Sequence, residues 1–296
     1  MFLLKIKNIS LDILFPPLCL GCQKHLKRDK DKSYEFLCRD CMSLIKINNT
    51  LFCPICQLRL PENKKICNHS KEDFKEFPFL LGPATDYGNP IVQNLIHYYK
   101  YKSFENLAPF LGELMINYLN FLNYPPSQKT TGVSPRMNTI GGFSTALRME
   151  EDASADSAEE TKDAAAVSPW RLHNSFISNF SPIVVFIPLH HSRERKRGFN
   201  QAKLLAEIVA KNFNLELKNV LMRVKNTPPQ AQAENREKRR ENLFGAFTII
   251  DPDEIKNKNI ILIDDVYTSG ATMSEAARVL KSRGARKIIA LVAAKA

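Results

Sequence analysis

Short apolar runs recur in the second half of the chain, each bounded by polar residues. Residues 183–189 read IVVFIPL, which is typical of a strand covered on both faces of a sheet. Residues 260–263, IILI, and residues 288–293, IIALVA, have the same apolar character. The pattern therefore predicts three buried strands.

Two amphipathic segments separate these runs. The first begins at Asn200, a residue type that caps helix N-termini, and its apolar positions share one face of a helix. The second begins at about Thr272 and ends at Gly284, which is suited to a C-cap. Strands that alternate with helices predict an α/β fold with a parallel sheet. The inward positions are Leu204, Leu205, Ile208 and Val209 in the first helix, and Ala276, Val279 and Leu280 in the second.

Composition divides the chain into a small domain, a larger domain and an insertion. Residues 1–80 contain all seven cysteines, and we expect a small domain that needs metal for stability. Residues 81–296 carry longer amphipathic stretches, including two helical ones within residues 91–115, and predict the larger domain. Residues 124–180 are rich in Ser, Thr, Ala, Pro and acidic residues, which bury too little apolar surface to offset their ordering entropy. We expect a flexible insertion there.

Overall composition narrows the class of protein. With 296 residues, of which 44% are apolar, the chain is long enough for about two folded domains. The formal net charge of +11 favours anionic partners, either nucleic acid or a phosphorylated metabolite. Lys5, Lys7 and Asp12 interrupt the apolar N-terminus, and no later apolar run approaches the ~18 residues that span a bilayer. We expect a cytoplasmic protein without stable membrane insertion.

The first four cysteines have a spacing typical of zinc binding. Cys19 and Cys22 form one C-x-x-C pair, and Cys38 and Cys41 form another after fifteen intervening residues. Two such turns each present two sulfurs to one tetrahedral ion, and four protein ligands make the site structural. Structural zinc contributes on the order of 10 kcal/mol in small domains. A thioredoxin-like redox pair is the weaker interpretation because the pairs occur in series.

A second set is less regular. Cys53 and Cys56 form a third C-x-x-C pair, Cys67 follows after ten residues, and His69 lies two positions later. If His69 replaces a fourth cysteine, the set holds a second structural zinc ion. The alternative is a former metal site that packing alone now maintains.

Residues 260–273, IILIDDVYTSGATM, are the most informative segment. Asp264 and Asp265 follow an apolar run at the carboxyl end of a predicted strand, where open α/β sheets bind ligands. Adjacent carboxylates suit two hydroxyls of a sugar or a hydrated Mg²⁺. The alternative is an ordinary strand, turn and helix with two exposed aspartates.

A turn of small and hydroxyl residues follows the acids and runs into a helix. Such a turn can direct backbone N–H groups and hydroxyls at one phosphate, and the helix N-terminus adds positive charge. Together with the acids, it predicts a site for a ribose 5-phosphate. A Walker P-loop is excluded because the chain has no G-x-x-x-x-G-K-[ST]. The turn residues are Thr268, Ser269, Gly270, Ala271 and Thr272.

This segment resembles the phosphoribosyl pyrophosphate (PRPP) motif of type I phosphoribosyltransferases, an apolar strand, two acids and a T-[ST]-G-x-T turn. The wider order of motifs is similar to the ComF family of competence-associated, phosphoribosyltransferase-like proteins. Residue 70 departs from it, since the family tends to have its last cysteine where this chain has Ser70. The motifs are the cysteine pairs, residues 96–115 (IHYYKYKSFENLAPFLGELM), 188–202 (PLHHSRERKRGFNQA) and 227–247 (TPPQAQAENREKRRENLFGAF).

The resemblance implies a type I phosphoribosyltransferase-like sheet behind an N-terminal zinc ribbon, and a role for each motif. Asp264 and Asp265 would be the catalytic acids, which hold the ribose diol of PRPP and favour positive charge at the anomeric carbon. Mg²⁺ and the basic loop predicted after the strand at residues 183–189 would stabilise the departing pyrophosphate, and an unidentified nucleophile would accept the phosphoribosyl group. The residues in the pyrophosphate position are His190, Arg193, Arg195 and Arg197.

The same basic segments allow a second interpretation. Residues 181–250 hold 13 basic and 6 acidic residues, a net charge of +7, although a charge run is often only a solvated face. Arg236–Arg240 resemble the family's loop over PRPP, but such residues also bind the backbone of single-stranded DNA. The resemblance implies a role in natural transformation. The rival function is therefore a DNA-handling module that contacts the competence machinery, with PRPP as a regulator or relic.

Overall fold

Five parallel strands form the main sheet of the structure, a computed structural model that describes residues 17–26, 36–60, 67, 69, 72–102, 104–123, 175–227 and 241–296. The strands along the chain are β1 (Leu80–Asp86), β2 (Pro182–Phe186), β3 (Leu217–Lys218), β4 (Leu221–Arg223), β5 (Phe247–Ile249), β6 (Asn259–Tyr267) and β7 (Ile288–Lys295). The order across the main sheet is β1, β7, β6, β2, β3, while β4 and β5 form a separate antiparallel pair. The predicted α/β fold with a parallel sheet is confirmed.

Helices pack on this sheet and connect its strands. Asn200 accepts hydrogen bonds from the N–H groups of Ala202 and Lys203, at 3.0 and 3.3 Å, and so caps its helix as predicted. Gly284 follows the last helix with a φ of +92°, the left-handed conformation that ends helices. The helices are α1 (Arg39–Ser43), α2 (Asp73–Glu76), α3 (Pro90–Tyr101), α4 (Ala108–Asn123), α5 (Ser175–Phe180), α6 (His191–Arg197), α7 (Gln201–Phe213) and α8 (Ala271–Ser282), and a 3₁₀ turn, Glu105–Leu107, precedes α4.

The register of β6 positions the acidic pair. β2 pairs with β6 as far as Phe186 opposite Ile263, and there β2 ends. β6 continues along β7 until Tyr267 lies opposite Lys295. Both aspartates therefore belong to the strand, and they lie beyond the end of β2 on an edge that β2 leaves uncovered. The longer β7 provides the partners that extend the ladder of β6 past the acids.

The cysteine-rich segments pack directly against the larger domain. Phe52 and Leu81 exchange backbone hydrogen bonds of 2.7 and 3.0 Å, so the second cysteine set is paired to the edge strand β1. The first set packs on α3, where the side-chain amide of Asn94 donates to the carbonyl of Leu20 at 3.4 Å. One hydrophobic core contains residues from both regions, among them Cys19, Phe36 and Phe52 from the cysteine-rich part.

Several predictions concern residues outside the described part of the chain. These are most of the insertion, residues 124–174, together with Ser70 and Arg236–Arg240. The last residues of the predicted insertion form helix α5, and Ile177 in this helix is buried. In the described part of the chain, no helix combines the length and apolar character needed to cross a bilayer.

Candidate functional site

Asp264 and Asp265 lie in different environments although they are adjacent. The side chain of Asp265 is buried and that of Asp264 is half-buried. The backbone N–H of Asp265 donates to Oδ1 of Asp264 at 2.9 Å, which orients the first carboxylate. The pair therefore presents one accessible carboxylate and one that is enclosed.

A lysine far away in the sequence pairs with the enclosed carboxylate. Nζ of Lys100, in the last turn of α3, lies 2.9 Å from Oδ1 of Asp265, and the two side chains are 22% and 8% exposed. Burial lowers the pKa of Lys100, but the charges of Asp265 and Asp264 raise it by more. Sequence reasoning missed this residue. Lys100 continues a buried stripe through Val92 and Ile96, and a lysine in such a stripe was the available signal.

The environment of Asp264 favours its protonated form. Burial is the main cause, the charge of Asp265 adds to it, and together they raise the pKa of Asp264 from 3.8 to about 7. Lys100, the N–H of Asp265 and Arg223 oppose this shift. Near neutral pH the carboxyl group of Asp264 can therefore gain or lose a proton. Such a perturbed pKa is typical of a group that binds hydroxyls or a metal ion at a functional site.

Two arginines converge on the same end of the sheet. The guanidinium of Arg193, in α6, donates to the carbonyl of Thr227, and that of Arg223, in β4, donates to the hydroxyl of Thr227 at 2.7 Å. Burial lowers the pKa of Arg193, and the charge of Arg197 lowers it further. Clustered guanidinium groups are typical of a site that binds an oxyanion.

Arg223 is the residue of this cluster that sequence reasoning missed. Its side chain is buried, and among the described residues its Nε has no hydrogen-bond partner. Burial and the charge of Arg193 lower its pKa to about 10, against the attraction of Asp264. A buried guanidinium with an unused donor fits an oxyanion ligand. No local motif marked Arg223, because it lies in a three-residue strand of ordinary composition.

The basic segment after β2 is helical rather than the predicted loop. His190 caps α6: its Nδ1 lies 2.8 Å from the hydroxyl of Ser192 and accepts from the backbone N–H of Ser192 at 3.3 Å. Arg195 is exposed to solvent. Arg197 donates to Oε1 of Gln201 at 3.1 Å and lies 5.6 Å from the ring centre of Tyr101. The structure therefore brings Arg193 and Arg197 together, whereas His190 shapes the turn.

The predicted phosphate-binding turn connects β6 to α8. Thr268 is exposed and Thr272 is half-buried, whereas Ser269, Gly270 and Ala271 are buried. Gly270 occupies the N-cap position with a φ of +78° and has no side chain to cap the helix, and Oγ of Ser269 accepts from the N–H of Ala271 at 3.5 Å. A Cβ on Gly270 would overlap the hydroxyl of Tyr267, so the turn requires glycine there for space as well as conformation.

The first four cysteines have the geometry of a tetrahedral metal site. Their sulfurs all lie within 4.8 Å of one another. Sulfurs about 2.3 Å from a central zinc ion are about 3.8 Å apart, and the Sγ atoms of Cys22 and Cys38 are separated by 3.8 Å. The backbone N–H groups of Gly21 and Cys38 each donate to Sγ of Cys19 at 3.4 Å, which favours a thiolate. This donor set fits structural zinc.

The second set has comparable geometry with one imidazole. Ligand atoms of Cys53, Cys56, Cys67 and His69 lie within 4.8 Å of one another, and the Sγ atoms of Cys56 and Cys67 are 3.7 Å apart. Nδ1 of His69 lies 3.9 Å from a carboxylate oxygen of Asp73, a neighbour that orients ligand histidines in zinc sites. The second donor set therefore also fits structural zinc.

Comparisons with known proteins match both regions. Residues 10–71 match the family described as double zinc ribbon domain, and residues 200–296 match the family described as phosphoribosyl transferase domain. These matches, with the two ligand clusters, support structural zinc in the N-terminal region and a phosphoribosyltransferase-like fold in the C-terminal one.

Curated relatives agree with these matches. The chain is 34% identical over 107 residues to Competence protein F of Haemophilus influenzae, which covers 36% of this chain and 46% of the relative. It is 37% identical over 131 residues to Competence protein ComFC of Bacillus subtilis, with 41% and 50% covered. It is 30% identical over 106 residues to DNA utilization protein YhgH of Escherichia coli K12, with 36% and 45% covered. The chain thus matches about half the length of each relative.

Proposed function

We propose that this chain, which belongs to the ComF family, binds PRPP together with Mg²⁺ at the carboxyl end of its parallel sheet. One observation carries the proposal: β6, which carries Asp264, lies beside β2, and the helix that follows β2 carries Arg193, which shares Thr227 with the buried Arg223. An acidic pair and an arginine cluster thus adjoin in one site. PRPP needs this combination, because its ribose carries hydroxyls and its pyrophosphate carries negative charge.

The turn after β6 is the proposed holder of the 5-phosphate. Its buried backbone at Ser269, Gly270 and Ala271 leads into the N-terminus of α8, where the N-cap residue is a glycine. Phosphate oxygens accept hydrogen bonds from such N–H groups, and the helix end contributes positive charge. The hydroxyls of Thr268 and Thr272 are the more accessible donors of this turn.

The two aspartates are proposed to hold the ribose. Asp264 is the accessible member and accepts hydrogen bonds from the ribose hydroxyls in its ionised form. Asp265 is held by Lys100 and keeps a negative charge below the sugar. That charge would stabilise positive charge on the anomeric carbon as its bond to pyrophosphate breaks.

Arg193, Arg197 and Arg223 are proposed to hold the pyrophosphate. Bound Mg²⁺ would neutralise part of the charge on the leaving group. In the proposed transfer, the bond between the anomeric carbon and pyrophosphate breaks, and a bond from that carbon to the acceptor forms. The acceptor stays unidentified, so the reaction is assigned by class, as phosphoribosyl transfer.

A second function has its own support near the site. Tyr101 is 61% exposed, the ring of His97 packs against it at an interplanar angle of 47° with ring centres 5.1 Å apart, and Arg197 lies over its ring. Exposed aromatic rings beside guanidinium groups suit unpaired bases. The relatives' names refer to competence and DNA utilization. The alternative is thus a DNA-uptake module that handles single strands with the competence machinery.

Reduced thiolate clusters suit a cytoplasmic location for either function.

Calorimetric titration distinguishes the two functions. PRPP with Mg²⁺ is titrated into the wild-type protein, into Asp265→Asn and into Asp253→Asn, an exposed control. We expect binding by the wild type and the control, at least about tenfold weaker binding by Asp265→Asn, and the same zinc content in all three. Absence of PRPP binding, together with salt-sensitive binding of a single-stranded oligonucleotide that survives loss of both aspartates, would favour the alternative. Pyrophosphate release with added acceptors then tests transfer.

A further inference from the structure

Tyr267 connects the second cysteine set to the proposed phosphate-binding turn. It is the last residue of β6, and its side chain is only 2% exposed. Its hydroxyl donates to the carbonyl of Pro54 at 3.3 Å. Pro54 lies between Cys53 and Cys56, so the hydrogen bond ends inside the C-x-x-C turn of the second ligand cluster.

The hydroxyl of Tyr267 also lies against the backbone of the turn at Gly270. The space in which a Cβ of Gly270 would lie is filled by the hydroxyl and ring of Tyr267. Phe79 supports the ring from another direction, with ring centres 6.3 Å apart at an interplanar angle of 70°. The Tyr267 side chain is thus held between the cysteine turn and the backbone of Gly270, and a shift of one displaces the other.

We propose that Tyr267 is a positioning residue through which the second cluster, when it holds zinc, orders the turn for the 5-phosphate of PRPP. The inference rests on the proposed function, because it assigns the turn to phosphate. Metal ligation fixes Cys53 and Cys56, and with them the carbonyl of Pro54. That carbonyl fixes the tyrosine hydroxyl, and the hydroxyl sets the closest approach of Gly270.

Because the coupling between two binding sites is the same in both directions, it can be measured through the binding of zinc. If zinc in the second cluster tightens PRPP binding by some factor, PRPP must tighten zinc binding there by the same factor. In the described structure, no single side chain joins the first cluster to the turn: its turns pack on α3, through Leu20 and Asn94 for example, and α3 reaches the ribose acids through Lys100 instead. We therefore expect bound PRPP to strengthen the binding of zinc in the second cluster and not in the first.

The chain contains a matched control for Tyr267. Tyr118, in α4, is also fully buried, and its hydroxyl also donates to a backbone carbonyl of the cysteine-rich region, that of Thr50, at 2.8 Å. Its ring and hydroxyl lie against Gly82 of β1 instead of the turn. Replacing either tyrosine by phenylalanine removes one buried hydrogen bond to the same region, but only Tyr267→Phe breaks the proposed connection.

The experiment measures the affinity for zinc by equilibrium competition with a chromogenic chelator, with and without saturating PRPP and Mg²⁺. A Cys56→Ser variant, which retains only the first cluster, assigns the two zinc-binding transitions. In the wild type and in Tyr118→Phe, we expect PRPP to raise the zinc affinity of the second cluster by about fivefold or more. In Tyr267→Phe, we expect the ratio of zinc affinities with and without PRPP to fall towards one, PRPP affinity measured by calorimetry to fall severalfold, and zinc content to stay at the wild-type level.

The outcomes separate the inference from the proposed function. If PRPP binds the wild-type protein but still raises the zinc affinity of the second cluster by the full factor in Tyr267→Phe, the inference is wrong and the proposed function stands. An equal rise in the zinc affinity of the first cluster, or an equal loss of the effect in Tyr118→Phe, also contradicts the inference, because the effect is then not specific to the turn. If calorimetry shows no PRPP binding by the wild type, the proposed function and the inference both fail.

Discussion

The ammonium of Lys100 lies 2.9 Å from a carboxylate oxygen of Asp265, although 164 residues separate the two along the chain. The contact joins the end of α3 to the strand that carries the acidic pair. It compensates the charge of Asp265 in a place that solvent hardly reaches. The acidic pair therefore belongs to a cluster of three charges, and four predictions follow from the site as a whole.

Replacing Lys100 by methionine is expected to destabilise the protein. Asp265 would stay buried without its partner, and removal of one member of a buried pair is strongly unfavourable. Because 22% of the Lys100 side chain is exposed, we expect a loss of about 1–3 kcal/mol, less than for a completely buried pair. Urea unfolding measures it, and Lys102→Met, at an exposed neighbouring position, is the control. Equal unfolding midpoints for Lys100→Met and the wild type would show that the contact contributes no stability.

The raised pKa of Asp264 predicts a pH-dependent stability. Folding raises this pKa from 3.8 to about 7, so the folded state holds a proton that the unfolded state releases more easily. The stability from this group is complete below pH 3.8 and is lost as pH rises towards about 7. PRPP binding through the ionised carboxylate changes in the opposite direction and strengthens as pH rises through the same range.

Comparison with Asp264→Asn isolates this effect. Urea unfolding of both proteins between about pH 6 and 8 cancels the contribution of the zinc ligands, which they share. We expect the stability of the wild type relative to the variant to fall as pH rises. A difference that is constant with pH would mean that Asp264 is already ionised throughout this range.

Loss of Arg223 is expected to weaken pyrophosphate binding selectively. Charge-assisted hydrogen bonds contribute about 1.5–3 kcal/mol, so Arg223→Gln should reduce the affinity for pyrophosphate with Mg²⁺ by about tenfold or more. Ribose 5-phosphate, which lacks the pyrophosphate group, should bind nearly as well as before. Titration of both ligands measures the difference, and Arg283→Gln, an exposed position, is the control. Equal weakening of both ligands would place Arg223 in a general structural role.

Gly270→Ala separates backbone strain from the contact with Tyr267. Gly270 and Gly284 both have positive φ, +78° and +92°, so alanine costs about 1 kcal/mol of conformational strain at either position. Only at Gly270 does the new Cβ meet Tyr267; at Gly284 its nearest neighbour is 3.5 Å away. We expect thermal unfolding to show the larger destabilisation for Gly270→Ala, and calorimetry to show a loss of PRPP affinity for it alone. Equal effects of the two variants would mean that the turn adapts to the extra atom.

Features encoded over short stretches were accessible from the sequence. The apolar runs became β2, β6 and β7, because a strand buried on both faces needs apolar residues at every position. Asn200 caps α7 through its own side chain and the next turn of backbone. A C-x-x-C turn brings its two sulfurs together locally, so the cysteine spacing identified the pairs that meet in each ligand set. The ligand atoms of each set lie within 4.8 Å of one another.

Other features depend on segments that meet only when the chain folds. Arg223 lies in a strand of three residues, and nothing around it in the sequence shows that its charge interacts with those of Asp264 and Arg193. The acids extend β6 because β7, a later strand, provides partners for the ladder. His190 belongs to a basic run, yet its environment makes it a helix cap.

The sequence by itself determined the alternation of strands and helices, the C-x-x-C pairs and the strand, acids and turn, since each depends on residues within a few positions of one another. The tertiary structure decided which cation reaches Asp265, which arginine joins the basic cluster and which residue connects Pro54 to Gly270. The physical reason is range. Hydrogen bonding and periodic burial act between neighbours in the chain, whereas ion pairs and close packing act between neighbours in space.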